Sequence, residues 1–255
     1  MHFSALEKAD WLAASIASAA LLFVMLGRGR WREFPVLTTW LAYLTTRALL
    51  LMAAYGLNSW YWYAHIFWTG LWIDFGFQLA VVIEIARIVL RPTGTWVRDA
   101  RIRFAAAGFA GAIAAGLIVW WITPPSSIRQ ISWQIRGNLF TSLVICELFV
   151  VMSMTANRLG LGWRNHVMAV GQGLMAWCCL MVLKTAVQSL PGNGHLYRAL
   201  EQARAITYTA AIFWMAVRLW FPEPERQPID PELQQYILAL HRRVEYDLRR
   251  LDAGS

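Results

Sequence analysis

The residues of this chain with chemistry to offer sit singly inside long apolar runs. Arg47 lies in the run 35–56 and Asp74 in the run 62–90, each twelve residues from the start of its run. Gln78 follows Asp74 by four residues, one helical turn along the same face, and Glu84 lies within about 80° of Asp74 at 100° per residue. Glu147 occupies the run 133–156, at a depth comparable to Glu84. A charge placed in hydrocarbon costs about 2.5–3.5 kcal/mol on insertion scales, so each of these groups needs a partner or a wet cavity. Arg47 and Asp74 approach from opposite sides on sequential antiparallel segments, so their side chains can meet. Two readings follow: a structural ion pair, or a ligand- or proton-linked site built around the pair. Structural neutralisation is the plainer role for Glu84 and Glu147, with Arg158 or Arg164 able to reach Glu147 by extending inward.

Other chemistries have less to stand on. Lys184 lies near one end of its run rather than at mid-depth, where it can snorkel to the surface or pair with Glu201, so a Schiff-base cofactor is not expected. Arg136 is placed to reach headgroups or a polar neighbour. The five histidines are scattered and no His-Glu-x-x-His occurs. Convergence of His65, His195 and Asp74 in an outer cavity would be needed for a membrane metal hydrolase. Cys146, Cys178 and Cys179 all fall inside apolar runs, offering no loop disulfide framework and no spaced metal motif, and read as small packing residues. No nucleophile–base constellation is visible, so neither enzyme activity nor catalytic residues, metal or cofactor are expected.

The elements that must hold these residues are seven runs at 10–27, 35–56, 62–90, 103–123, 133–156, 164–189 and 197–220. Each is long enough, at about 1.5 Å per residue, to cross a ~30 Å hydrocarbon core. Arginines crowd every second gap: Arg28, Arg30 and Arg32 in the first, five from Arg87 to Arg103 around the third, Arg158 and Arg164 beside the fifth, and Arg218 with Arg226 after the seventh. The second gap, 57–60, carries no charge. Positive loops stay cytoplasmic, which predicts an outside N-terminus and an inside C-terminus. The near-neutral residues before the first run and the arginines after it are the reverse of a cleaved signal peptide. Pro35, Pro92, Pro124, Pro191 and Pro222 bound the runs and none interrupts one. Trp11, Trp60, Trp62, Trp120, Trp121 and Trp133 mark one interface, and Trp31, Trp96, Trp163 and Trp220 the other.

The fold class predicted is therefore an all-α integral membrane protein, a seven-transmembrane-helix bundle over 1–221. With 58% hydrophobic and 15% charged residues the chain is too apolar for an ordinary soluble domain, and its net charge of +8 suits anionic lipid rather than nucleic acid. Gly108, Ala112 and Gly116 recur every four residues in the fourth run, predicting a close helix-packing groove, filled by a bundle neighbour or by a second copy as a homodimer seam. After a linker at 222–229, Asp230 and Pro231 open a cytoplasmic amphipathic helix over 230–252 with an apolar stripe of Leu233, Ile237, Leu240, Val244, Leu248 and Leu251. Its interspersed arginines fit the inner leaflet or a cytoplasmic protein partner better than a true coiled coil.

Several segments resemble a family of bacterial seven-helix membrane proteins associated with acidobacterial genomes. They are Arg32-Glu33-Phe34-Pro35, Glu84-Ile85 with Arg91-Pro92, Arg136 in its helix, Leu159 to His166, and Trp220 to Glu225. The resemblance covers most of the first 225 residues and implies fold and topology only; no activity is attached to that family, and the expected location is the bacterial cytoplasmic (inner) membrane, crossed several times. The helix after Pro228 departs from its pattern. A receptor-like or ligand-binding module signalling through the tail helix is the leading expectation, with a small-solute or proton-linked transporter and a structural or assembly subunit as alternatives.

Overall fold

The computed structural model describes residues 5–90, 98–122, 129–158, 165–188 and 194–222. Among them are seven α-helices and no strand: α1 (Ala5–Gly27), α2 (Pro35–Gly56), α3 (Trp60–Leu90), α4 (Arg98–Ile122), α5 (Arg129–Arg158), α6 (Asn165–Gln188) and α7 (Gly194–Trp220). Six of them, α1 to α6, are long and apolar enough to cross a membrane, which makes this a multi-pass membrane protein. Helix α7 has the length, but Arg198, Glu201 and Arg204 dilute its apolar content. The expected linker, the 230–252 helix and its stripe lie outside the described residues.

Proline and two left-handed residues set the first two connections. Pro35 takes the first position of α2, where its missing N–H costs nothing, and Gly29 supplies the positive φ of 68° in the turn before it. Between α2 and α3, Asn58 adopts φ 50°, and the amides of Leu57, Asn58 and Ser59 bond back to Ala53, Tyr55 and Ala54 at 2.9–3.2 Å. Asparagine tolerates that conformation better than other non-glycine residues. The turn is tight, so α2 and α3 must pack side by side, antiparallel.

Packing runs round a ring from α1 through α2, α3, α5, α6 and α7 back to α1, while α4 lies outside, against α5. The main core gathers Leu21 and Met25 of α1, Leu37 and Leu41 of α2, Ile85 of α3, Met152 of α5, Val170 of α6 and Met215 of α7. All sit in the half of the bundle that carries the α1–α2 connection. Outward faces are apolar as well, with Phe23, Leu49, Phe109 and Phe213 exposed, as lipid contact requires.

Helix α4 meets α5 through small residues, though not quite on the expected spacing. Gly108 approaches Leu148, Gly111 approaches the Glu147 carboxyl, and Ala112 and Ala115 join the same cluster, whereas Gly116 is exposed with open space where a side chain would begin. Four residues advance a helix by about 400°, so a strict four-residue repeat drifts off the contact line by 116. Alternating steps of three and four keep 108, 111 or 112, and 115 on it.

Candidate functional site: a cavity beside Arg47

Helices α2 and α3 position four of the five polar candidates, Arg47, Asp74, Gln78 and Glu84. Asp74 accepts a hydrogen bond from the Trp40 indole N–H at 2.6 Å and another from the Gln78 amide at 2.9 Å, one on each carboxylate oxygen. Arg47 instead donates from Nη2 to the Phe67 carbonyl at 3.1 Å and lies over the Phe67 ring, 5.7 Å from its centroid. No ion pair joins Arg47 to Asp74 among the described residues.

The reason is register. Arg47 lies 11 residues before Asn58 at the turn, and Asp74 lies 16 after it. Two antiparallel helices pair at equal distances from their turn, so the offset of five residues separates the two side chains by about 7.5 Å of helix rise. Arg47 therefore faces Phe67 and Gly70, and Asp74 faces Trp40. Gly70 makes the arrangement possible, because a β-carbon there would meet Arg47 Cδ at 2.8 Å and the Tyr43 hydroxyl at 2.9 Å. The Tyr43 hydroxyl donates to the Gly70 carbonyl at 2.6 Å, holding the two helices together at this level.

Glu84 serves a third purpose, further along the same pair. Its two carboxylate oxygens accept the backbone N–H groups of Val36 at 2.7 Å and Leu37 at 3.0 Å. The residue before Pro35 is Phe34, which has no side-chain acceptor, so α2 is capped from α3. A negative charge at a helix N-terminus also suits the helix dipole.

Glu147 belongs to none of these groups. It packs on Gly111 of α4, and its Oε2 is buried with no hydrogen-bond partner. The side chains of Arg158 and Arg164, expected to reach it, lie outside the described residues. The acidic and polar stripe expected along α3 is thus divided into a closed Trp40–Asp74–Gln78 cluster and a helix cap, while Arg47 and Glu147 stand apart from both and from each other.

What Arg47 does border is a cavity of about 360 Å³ between α1, α2, α3 and α7. It lies in the half of the bundle that carries the α2–α3 turn, opposite the packed core. Trp11, Leu51 and Phe67 provide apolar wall, while Ser15, Ser18, Tyr63 and Tyr208 bring hydroxyl-bearing side chains to the lining. The Ser18 hydroxyl is committed to the Ala14 carbonyl at 2.9 Å and meets the Tyr208 hydroxyl at 3.4 Å. Tyr63 is stacked between Trp60 and Phe67, which fixes its ring. Arg47 Nε is buried and has no hydrogen-bond partner. That nitrogen packs against Gly70, so it is the rest of the guanidinium that borders the cavity, with no carboxylate in salt-bridge contact among the described residues.

The remaining candidates resolve locally. Lys184 pairs with Glu201, which also takes two bonds from Arg204, at 2.6 and 3.1 Å, so α6 and α7 are joined by charge at one end. Arg136 lies over the rings of Trp120 and Trp133. His65 is exposed and bonds the Tyr61 carbonyl at 3.0 Å, His166 bonds that of Phe221 at 3.0 Å, and the His195 side chain is outside the described residues. Among the described residues no group of three or more His, Cys, Asp or Glu side chains could hold a metal.

Two groups of residues escaped the sequence reasoning. Trp40, Tyr43, Gly70 and Tyr208 carry the polar contacts or the cavity lining, yet aromatic and small residues in an apolar run give no polar signal; counting from the turn would have found the first three. Cys146 and Cys179 were read as packing residues, but α5 and α6 bring their sulfurs to 4.0 Å. No protein-family model, curated protein or solved structure matches this chain.

Proposed function

We propose that this protein is a receptor-like, ligand-binding membrane module with seven spans, and that its ligand presents an anionic group to Arg47. The observation that carries the proposal is Arg47 on the wall of a cavity, hydrogen-bonded to the Phe67 carbonyl and, among the described residues, in salt-bridge contact with no carboxylate. Cations are rare in membrane segments, because the desolvation cost is offset only by a partner or by water, and one carbonyl and one ring offset less of it than an anion would. Helix α7 is taken as the seventh span: it packs between α1 and α6, and the Lys184–Glu201–Arg204 cluster offsets its charge. The alternating arginines put the cavity at the outer end and residues 230–252 in the cytoplasm, where a tail helix would pass the bound state to a partner. The membrane of this reading is the bacterial inner membrane.

A continuous transport path has less support, because Asp74 and Gln78 are occupied by each other and by Trp40, and Glu147 lies at a separate helix interface. Thermal unfolding of the purified protein in a non-ionic detergent tests the binding proposal. Octanoate is expected to raise the unfolding temperature, octanol to do so much less, and Arg47→Gln to remove the difference. Equal protection by the neutral alcohol, or full protection of the variant, would count against an anion site.

A further inference from the structure

Arg47 borders a second concavity, on the other side of the α2–α3 pair. This groove has a volume of about 370 Å³ and is formed by Thr46 and Leu50 of α2 with Trp62, His65, Ile66 and Ile73 of α3. On α2, residues 44, 47, 48 and 51 face the inner cavity and 43, 46, 47 and 50 face the groove, so Arg47 stands on the edge common to both. At this level α3 contributes Gly70, which has no side chain, and the partition consists of the Arg47 side chain together with Tyr43. Leu50, Trp62 and Ile73 are 50%, 60% and 45% exposed, on helices long and apolar enough to cross a membrane, so the groove faces lipid.

We infer that the ligand of the Arg47 site is a single-chain anionic amphiphile that enters from the bilayer through the α2–α3 groove. Its carboxylate or phosphate head pairs with the Arg47 guanidinium, and its chain lies along Leu50, Ile66 and Ile73. This rests on Arg47 being an anion site and adds the class of ligand and the route. Two features favour an amphiphile over a small water-soluble anion. A bare anion gives up its hydration for a single cation in largely apolar surroundings, a poor exchange. An attached chain fills apolar space, and each buried methylene strengthens binding from water about fourfold. Each concavity also falls within the usual range of small-molecule sites, about 300–1,000 Å³. Entry through the groove moves the head past the Arg47 and Tyr43 side chains and breaks two contacts between α2 and α3, the Arg47–Phe67 and Tyr43–Gly70 bonds.

The test is equilibrium binding of labelled dodecanoate to the full chain in phosphatidylcholine nanodiscs, with partition into empty discs subtracted and affinity referred to free aqueous concentration. The saturable component is expected to weaken at least tenfold in Arg47→Gln and at least tenfold in Thr69→Trp, which fills the exposed groove without touching the charge. From hexanoate to dodecanoate, affinity should rise about fourfold per methylene, while acetate and inorganic phosphate compete only weakly. Unfolding temperatures of both variants near that of the native protein show that the fold is retained, and Thr46→Trp gives a second groove-filling variant if Thr69→Trp does not fold. Competition by acetate or inorganic phosphate as effective as by dodecanoate, or unchanged dodecanoate affinity in a folded groove variant, overturns the amphiphile and its route while leaving the anion site standing. Absence of any Arg47-dependent binding overturns both.

Discussion

The Glu84 carboxylate satisfies two backbone donors that α2 cannot satisfy for itself. Pro35 has no N–H and Phe34 offers no acceptor, so the amides of Val36 and Leu37 would otherwise be left unpaired where the core is densest. Losing a side-chain cap costs about 0.5–2 kcal/mol. Glu84→Ala is therefore expected to lower unfolding stability by about 1–2 kcal/mol, and Glu84→Gln, which keeps one acceptor, by less; calorimetry or denaturant titration in detergent would measure both. If the two variants are indistinguishable from the native protein, the cap contributes nothing. None of this was legible from the sequence, because the partners of Glu84 are main-chain groups. The same limit applied to Arg47, which donates to the Phe67 carbonyl. That the five polar candidates need partners was legible; which partners they have depended on register.

At the scale of elements, apolar length and proline placement were the strongest signals. The six apolar spans match the predicted runs to within a few residues at most ends, because long apolar runs bounded by proline leave few other options. Pairing between helices was less accessible. Depth counted from the start of each run placed Arg47 opposite Asp74, whereas depth counted from Asn58 places Arg47 opposite Phe67 and Asp74 opposite Trp40. The small-residue stripe of α4 failed in the same way, through a rotation of about 40° per four residues that left Gly116 exposed. The α5–α6 pair gives a direct check on helix placement. With sulfurs 4.0 Å apart, Cys146 and Cys179 should form an interhelical disulfide under a mild membrane-permeant oxidant after small side-chain rotations. Loss of two free thiols on titration is the expected readout, retained in Cys178→Ser, where Cys179 is the partner left to Cys146, and abolished in Cys146→Ser. Persistence of all three free thiols would show that α5 and α6 pack in a different register.

For the whole molecule, the two halves of the bundle differ in a way that suits a receptor. One half is filled by Leu21, Met25, Leu37, Leu41, Ile85 and Met215, close-packed and apolar. The other holds a cavity with a charge, four hydroxyl-bearing side chains and aromatic walls. A closed half beneath an open one lets a ligand alter helix spacing at one end without opening a path across the membrane. The proposed orientation puts the open half outside. Arginine alternation carries that orientation, and it is independent of the cavity geometry. Cysteine accessibility tests both at once. Ala48→Cys, in a background with Cys146, Cys178 and Cys179 replaced by serine, places a thiol on the cavity wall one residue from Arg47. In intact cells a membrane-impermeant maleimide should label Ala48→Cys from outside and leave Val81→Cys, in the packed half, unlabelled. Labelling of Ala48→Cys only after the membrane is opened or dissolved would contradict an outward-facing site at Arg47.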